Sequence, residues 1–153
     1  MKRAASGIDR RVVVDANLVI RRVLFPEDRV IQQLWEGWHR ESMHILAPSL
    51  LSYEVTNVLH RYLRLGWFSS EAIELSLIAA MALPIKLFGD APLHLHAFVL
   101  AQRYGLPAAY DAHYLALAVR LGVELFTSDV RLVNALQPFG LDWLRYVKIS
   151  DVQ

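Results

Sequence analysis

Residues 11–16 read Arg-Val-Val-Val-Asp-Ala, RVVVDA in one-letter code, and this short stretch decides the fold. A run of β-branched residues with no alternating polar positions is typical of a strand that is buried on both faces. Such strands belong to parallel sheets covered by helices. Asp15 follows the run directly, at the carboxyl end of the strand, where the sites of these sheets form. The stretch therefore predicts an α/β protein with a candidate site residue at Asp15.

The rest of the chain alternates short apolar runs with longer stretches of helical periodicity. Further strands are predicted over residues 44–48, 84–88, 123–129 and 144–150, with an exit turn included in the third of these. Helices are predicted over residues 27–41, 49–66, 71–83, 93–105, 108–122 and 130–136. This alternation predicts three layers, with a short, mostly parallel sheet flanked by helices and joined by right-handed crossovers.

The length and composition of the chain are those of one folded domain. Its 153 residues are enough to bury a core, and its 55% of hydrophobic residues places it among folded rather than disordered proteins. We predict a flexible lead over residues 1–10 and a single domain over residues 11–153. Asp15 and Asn17 interrupt the first apolar run, so we predict neither a signal peptide nor a membrane span.

The absence of cysteine narrows the chemistry that is open to the protein. It excludes disulfides, thiolate zinc sites and cysteine nucleophiles, and it is typical of a reducing compartment, so we predict a cytoplasmic protein. The net charge of +1 neither requires nor excludes a nucleic acid partner. The function must therefore be inferred from particular side chains.

Two acidic residues occupy matching positions on two of the predicted helices. Glu54 follows Leu51 by three residues and Asp111 follows Ala108 by three, so each acid lies on the flank of an apolar helix face. A carboxylate placed only for solvent would favour the opposite side. Asp129 comes just past the fourth strand. Together with Asp15, these residues form four acids that can converge on one edge of the sheet.

Crowded carboxylates repel one another, and a divalent cation relieves that repulsion. Oxygen-only ligands suit Mg²⁺ or Mn²⁺, which retain several waters and bind phosphate oxygens. Each acid also has an ordinary explanation. Asp15 and Asp129 are suited to capping a helix, Asp111 to the first turn of one, and Glu54 is a common helix former. The metal site has the advantage of explaining all four positions at once.

The order and spacing of four segments resemble the PIN domain, the nuclease fold of VapC-type toxins from toxin–antitoxin pairs. The resemblance extends from Val12 to about Ile149. Its segments are VVDANLVI (13–20), SLLSYEVTNVL (49–59), YGLPAAYDAHYLALA (104–118) and LFTSD (125–129).

The resemblance implies an acidic site made of Asp15, Glu54, Asp111 and Asp129, supported by the polar residues Asn17 and Thr127. Many relatives carry Ser or Thr at the position of Asn17. It also implies a Mg²⁺-dependent endoribonuclease in which metal-activated water cuts the phosphodiester and leaves a 5′-phosphate and a 3′-hydroxyl. It further implies a homodimer and a cognate antitoxin whose tail blocks the acidic groove.

Two further expectations come from the residues themselves. Residues 71–83 carry more apolar surface than one core-facing side requires, which independently favours a homodimer. Arg21 and Arg22 follow Asp15 by less than two helical turns and are candidate contacts for RNA phosphates.

Two other functions are considered beside the ribonuclease. A phosphohydrolase of the haloacid-dehalogenase type would use Asp15 as its nucleophile, but it needs a second acid two residues later, where this chain has Asn17. A PIN-like module that binds RNA or protein without cutting is the second alternative, and the presence of all four acids argues against it.

Overall fold

A computed structural model describes residues 9–150, and its centre is a five-stranded sheet. The strands are β1 (Arg11–Val14), β2 (His44–Pro48), β3 (Ile85–Phe88), β4 (Glu124–Thr127) and β5 (Leu144–Tyr146). Their order is β3-β2-β1-β4-β5, and every pairing between them is parallel. The three valines of β1 are almost completely buried in the middle of the sheet. The predicted α/β architecture is therefore confirmed.

Within residues 9–150, seven helices surround the sheet. They are α1 (Ala16–Leu24), α2 (Arg29–Arg40), α3 (Leu50–Arg64), α4 (Ser70–Ala82), α5 (Ala91–Arg103), α6 (Tyr110–Leu121) and α7 (Val130–Leu136), and a short 3₁₀ turn follows at Gln137–Phe139. Six of them correspond to predicted helices. The sequence patterns predicted no helix over α1, whose β-branched residues continue the apolar run of β1. The reversal into a helix is made locally by Asp15, whose side chain accepts a hydrogen bond from the backbone N–H of Leu18.

The helices form two layers on opposite faces of the sheet. Helices α1, α3 and α4 pack against one another, α2 packs on α1, and α5 and α6 form a second pair in which α6 contacts β1, β2 and β4. Right-handed crossovers require this division, because the chain moves outward from β1 to β3 and then returns across the sheet to β4. None of the helices within residues 9–150 is both long and apolar enough to cross a membrane.

The strand order places a topological switch at β1, whose neighbours β2 and β4 are reached by connections on opposite faces. Sheets of this kind open a crevice at the carboxyl ends of the strands beside such a switch. Asp15 directly follows β1, and Asp129 follows β4 after one intervening residue. Residues 1–8 of the predicted flexible lead, and residues 151–153, lie outside the described residues.

Two glycines are expected to respond in opposite directions to substitution by alanine. Gly122 ends α6 with a φ of 65°, in the left-handed region, whereas Gly37 lies inside α2 and a Cβ there would meet nothing within 4 Å. Gly122→Ala should lower the free energy of unfolding by about 1 kcal/mol. Gly37→Ala should raise it by about 0.5–1 kcal/mol, because alanine is the better helix former. Urea denaturation of both variants measures the two signs, and equal shifts would contradict the conformation given to Gly122.

Candidate active site

The carboxylate of Asp15 is buried and held by three hydrogen bonds at the junction of two central strands. Its Oδ1 accepts the N–H of Leu18 at 3.0 Å, which caps α1. Its Oδ2 accepts the hydroxyl of Thr127 at 2.5 Å and the N–H of Ser128 at 3.1 Å, both from the end of β4. Asp15 is therefore both a helix cap and a fixed acid at the sheet edge, so the two explanations for this residue are compatible.

Thr127 links the first and the last of the four predicted acids. Its fully buried hydroxyl donates to Asp15 and accepts the N–H of Asp129 at 3.0 Å. Asp129 in turn caps α7, where its Oδ1 accepts the N–H groups of Arg131 at 2.9 Å and Leu132 at 3.3 Å. One buried side chain thus sets the relative position of two carboxylates.

Glu54 lies on α3 and is held by a tyrosine that no local sequence pattern marks as a site residue. The hydroxyl of Tyr114, on α6, donates to Oε2 of Glu54 at 2.7 Å. Burial, followed by the charge of Glu54, raises the pKa of Tyr114, which keeps the phenol a donor. The only signal in the sequence is that Tyr114 follows Asp111 by three residues, which places both on one face of a helix.

Asp111 differs from Asp15 and Asp129 in that, within residues 9–150, it caps no helix and its carboxylate accepts no hydrogen bond. It lies half-buried in the first turn of α6. No other side chain in this part of the chain caps the start of α6. The ordinary role of an acid in a first turn, binding the free N–H groups of its own helix, is therefore not seen here.

The four acids lie near enough to one another for the charge of one to raise the pKa of another. Burial raises the pKa of Asp15 to about 6 against the effect of its hydrogen bonds, and the charge of Asp129 adds to the rise. Burial also raises the pKa of Glu54, with further contributions from Asp111 and Asp15. The pKa of Asp111 is raised by burial and by the charge of Asp129. Like charges are thus gathered at one edge of the sheet.

This donor set fits a hard divalent cation. All four candidate ligands are carboxylates, and their mutual repulsion is the condition that a cation relieves. In the part of the chain that the structure describes, no three acidic or histidine side chains already surround one ion position. Mg²⁺ does not require such a cage, because it commonly binds one or two carboxylates and completes its shell with water.

The remaining predicted site residues lie in different surroundings. Asn17 is exposed on α1, close to Asp15 in the chain. Arg21 is buried, with its Nη1 3.7 Å from Oδ2 of Asp28 and its Nη2 donating to the carbonyl of Ser150. This geometry gives Arg21 a structural role and does not support phosphate binding by it.

Arg22 does not lie beside the acids either. It lines a cleft of about 970 Å³ whose walls include Arg11, His44 and Pro84, at the amino-terminal ends of β1, β2 and β3. That edge of the sheet is opposite the acidic site, so the predicted contact between Arg22 and RNA phosphates is likewise unsupported.

The raised pKa of Asp15 predicts a specific pH dependence of stability for the metal-free protein. The folded state binds the proton of Asp15 more tightly than the unfolded chain, where the pKa is about 3.9. Stability from this residue is therefore lost as pH rises from about 4 to about 6. Asn does not titrate, so Asp15→Asn does not lose this stability as pH rises. The difference in free energy of unfolding, variant minus wild type, should therefore increase by up to about 3 kcal/mol between pH 4 and pH 7.

Urea denaturation in EDTA across this pH range measures the difference. The substitution also alters the cap of α1 and the bond to Thr127, which lowers stability by the same amount at every pH. This constant amount does not affect how the difference between variant and wild type changes with pH. A difference that stays flat from pH 4 to pH 7 would contradict the burial of a titrating Asp15.

Comparison with known proteins identifies the family of the chain. A family model for the PIN domain matches residues 12–135. Ribonuclease VapC3 from Pyrobaculum aerophilum is 32% identical over 126 residues, which cover 81% of this chain and 93% of the relative.

Two solved structures share the fold. A toxin–antitoxin complex from Klebsiella pneumoniae matches with a TM-score of 0.65 and 19% identity, over 90% of this chain and 99% of the other. The crystal structure of PAE2754 from Pyrobaculum aerophilum matches with a TM-score of 0.61 and 28% identity, over 82% of this chain and 85% of the other. The family match spans most of the chain and includes β1, α3, α6 and β4, so this protein belongs to the PIN domain family.

Proposed function

We propose that this protein is a cytoplasmic endoribonuclease, the toxin of a toxin–antitoxin pair, which cuts RNA with the help of Mg²⁺ or Mn²⁺. The observation that carries the proposal is the gathering of Asp15, Glu54, Asp111 and Asp129 at the switch point of the sheet. The 32% identity to a protein named as a ribonuclease supports the same activity.

In this proposal one or two of the four carboxylates would hold the cation directly, and the others would orient the waters around it, including the water that attacks the phosphodiester. A bound Mg²⁺ or Mn²⁺ supplies charge that stabilises phosphate oxygens and favours deprotonation of water. Asp111 is the acid with the fewest other tasks, since it accepts no hydrogen bond within the described residues. We therefore assign it a direct part in binding the cation.

The side chains around the acids act as positioning groups. Thr127 fixes one oxygen of Asp15 and, through the N–H of Asp129, the start of α7. Tyr114 occupies Oε2 of Glu54, and Oε1 has no partner in the part of the chain that the structure describes. Each positioning bond thus orients a carboxylate without using all of its lone pairs.

The proposed homodimer rests on an apolar surface at one edge of the sheet. The surface is formed by side chains that are 43–68% exposed, on the edge strand β3 and on the helices before and after it: Leu75, Ile78 and Met81 of α4, Leu87 of β3, and Leu95, Phe98 and Val99 of α5. Exposed apolar side chains grouped around a strand that is at the sheet edge within residues 9–150 favour pairing with a second copy of the chain.

The proposed antitoxin partner has a different basis. It follows from the family and from the solved structure that is described as a toxin–antitoxin complex. A tail of such a partner would block the acidic groove. A small open reading frame for a DNA-binding protein directly upstream of the gene would support this pairing.

The ribonuclease proposal predicts two opposite effects of Asp111→Asn. The metal-free variant should melt at a higher temperature than wild type, because one repelling charge is removed. RNA cleavage and the stabilisation gained on adding Mg²⁺ should both fall, because binding to the folded state is weaker. Thermal melting in EDTA and in excess Mg²⁺, with cleavage assays that identify 5′-phosphate ends, measures these effects.

Asp142→Asn is the matched control, since Asp142 is exposed in the loop before β5 and makes no hydrogen bond within residues 9–150. Wild type that cuts RNA equally well in EDTA would contradict the metal mechanism. A clear Mg²⁺ response without any cleavage would favour the non-catalytic RNA- or protein-binding module.

The homodimer predicts that charge placed on the apolar surface yields a monomer. Light scattering at micromolar concentration should give wild type twice the mass of one chain. The double variant Ile78→Glu/Phe98→Glu should give the mass of one chain, because two carboxylates would be desolvated in the interface. Val30→Glu changes a similarly exposed residue on α2 and should stay dimeric. A monomeric wild type, or a double variant that stays dimeric, would contradict the interface.

A further inference from the structure

The exposed face of α3, the helix that carries Glu54, has a shallow, open groove that none of the proposed roles uses. The groove has a volume of about 490 Å³. Its walls are uncharged or weakly basic polar side chains with one aromatic ring: Ser52, Tyr53, Thr56, Asn57 and His60.

Tyr53 is placed as a free aromatic surface. It is 74% exposed, and within residues 9–150 its ring makes no aromatic contact and its hydroxyl makes no hydrogen bond. A tyrosine that served the core would be buried and partnered. Its exposed ring is available to stack on another planar group.

Asn57 supplies hydrogen-bonding groups at the same place. Its exposed amide has no partner in the described part of the chain, whereas the hydroxyl of the neighbouring Thr56 is already used, donating to the carbonyl of Ser52 at 2.7 Å. An asparagine amide offers one acceptor and two donors, which is the pattern that reads the edge of a nucleobase.

Helix geometry joins this groove to the acidic site. Asn57 follows Tyr53 by four residues and Glu54 by three, so its side chain neighbours both on the surface of α3. An RNA strand whose phosphate bound a cation held at the acidic site would therefore bring an adjoining base within reach of Tyr53 and Asn57.

We propose that the groove on α3 is a nucleobase subsite, in which Tyr53 stacks on one base of single-stranded RNA and Asn57 hydrogen-bonds to its edge. This inference rests on the proposed ribonuclease function and adds a determinant of where the RNA is cut. Unstacked bases of single-stranded RNA are commonly bound in this way, by aromatic stacking and by hydrogen bonds to their edges.

The test compares cleavage of short single-stranded RNAs that differ in the bases flanking the cut. Tyr53→Leu, which keeps apolar bulk but removes the ring, should raise KM roughly tenfold with kcat nearly unchanged. Tyr53→Trp, which keeps a stacking surface, should stay within about twofold of wild type. Asn57→Ala should weaken the base preference at one position, and Asn134→Ala, on the exposed face of α7, should leave it unchanged.

A second measurement separates failure of the subsite from failure of the proposed function. Fluorescence anisotropy with a labelled single-stranded RNA in EDTA reports binding without cleavage, and Tyr53→Leu should weaken it while Tyr53→Trp should not. Wild type that neither binds nor cuts RNA would overturn the ribonuclease proposal itself. If wild type cuts RNA and Tyr53→Leu keeps both its KM and its base preference, the subsite alone is overturned. The same follows if Tyr53→Leu binds RNA normally and loses binding only to a protein partner.

Discussion

The hydrogen bond from Thr127 to Asp15 is the interaction on which the site depends, because it joins the ends of the two central strands β1 and β4 through buried groups. Taking a carboxylate out of water is costly unless hydrogen bonds replace its hydration. Here three donors replace the hydration of Asp15. The N–H of Leu18 also fixes the start of α1, and the N–H of Ser128 also fixes the exit of β4. The same bonds that make the burial of Asp15 tolerable therefore determine the direction in which the chain leaves both strands.

The candidate site residues that could be predicted are those that a local sequence pattern, a few residues long, identifies. Asp15 and Asp129 follow recognisable strands, and Glu54 and Asp111 lie on the flanks of helix faces. The bond between Tyr114 and Glu54 joins residues 60 positions apart, and no local pattern reports it. The α/β fold, the order of the strands along the chain and six of the seven helices were accessible for the same reason.

The failures have equally local causes. The sequence of α1 continues the β-branched run of β1, so its helical state depends on the cap made by Asp15 and on packing against α3 and α4. The distance of Arg21 from Asp15 along the chain makes it a candidate phosphate contact, but the local sequence does not indicate which way its side chain turns. The helix turns its guanidinium inward, against Asp28 and the carbonyl of Ser150, where it is unavailable to a phosphate.

The bond between Tyr114 and Glu54 also has a consequence for how distant substitutions act. Helices α3 and α6 belong to opposite layers, so the separation of Glu54 from Asp111 reflects how the two layers are seated on the sheet between them. Residues on the buried face of α6, such as the fully buried Leu115, are remote from solvent, yet they help to determine that seating. A change in their volume would shift one carboxylate relative to another. The geometry of the site would therefore change during evolution as the core is repacked, even while all four acids stay the same.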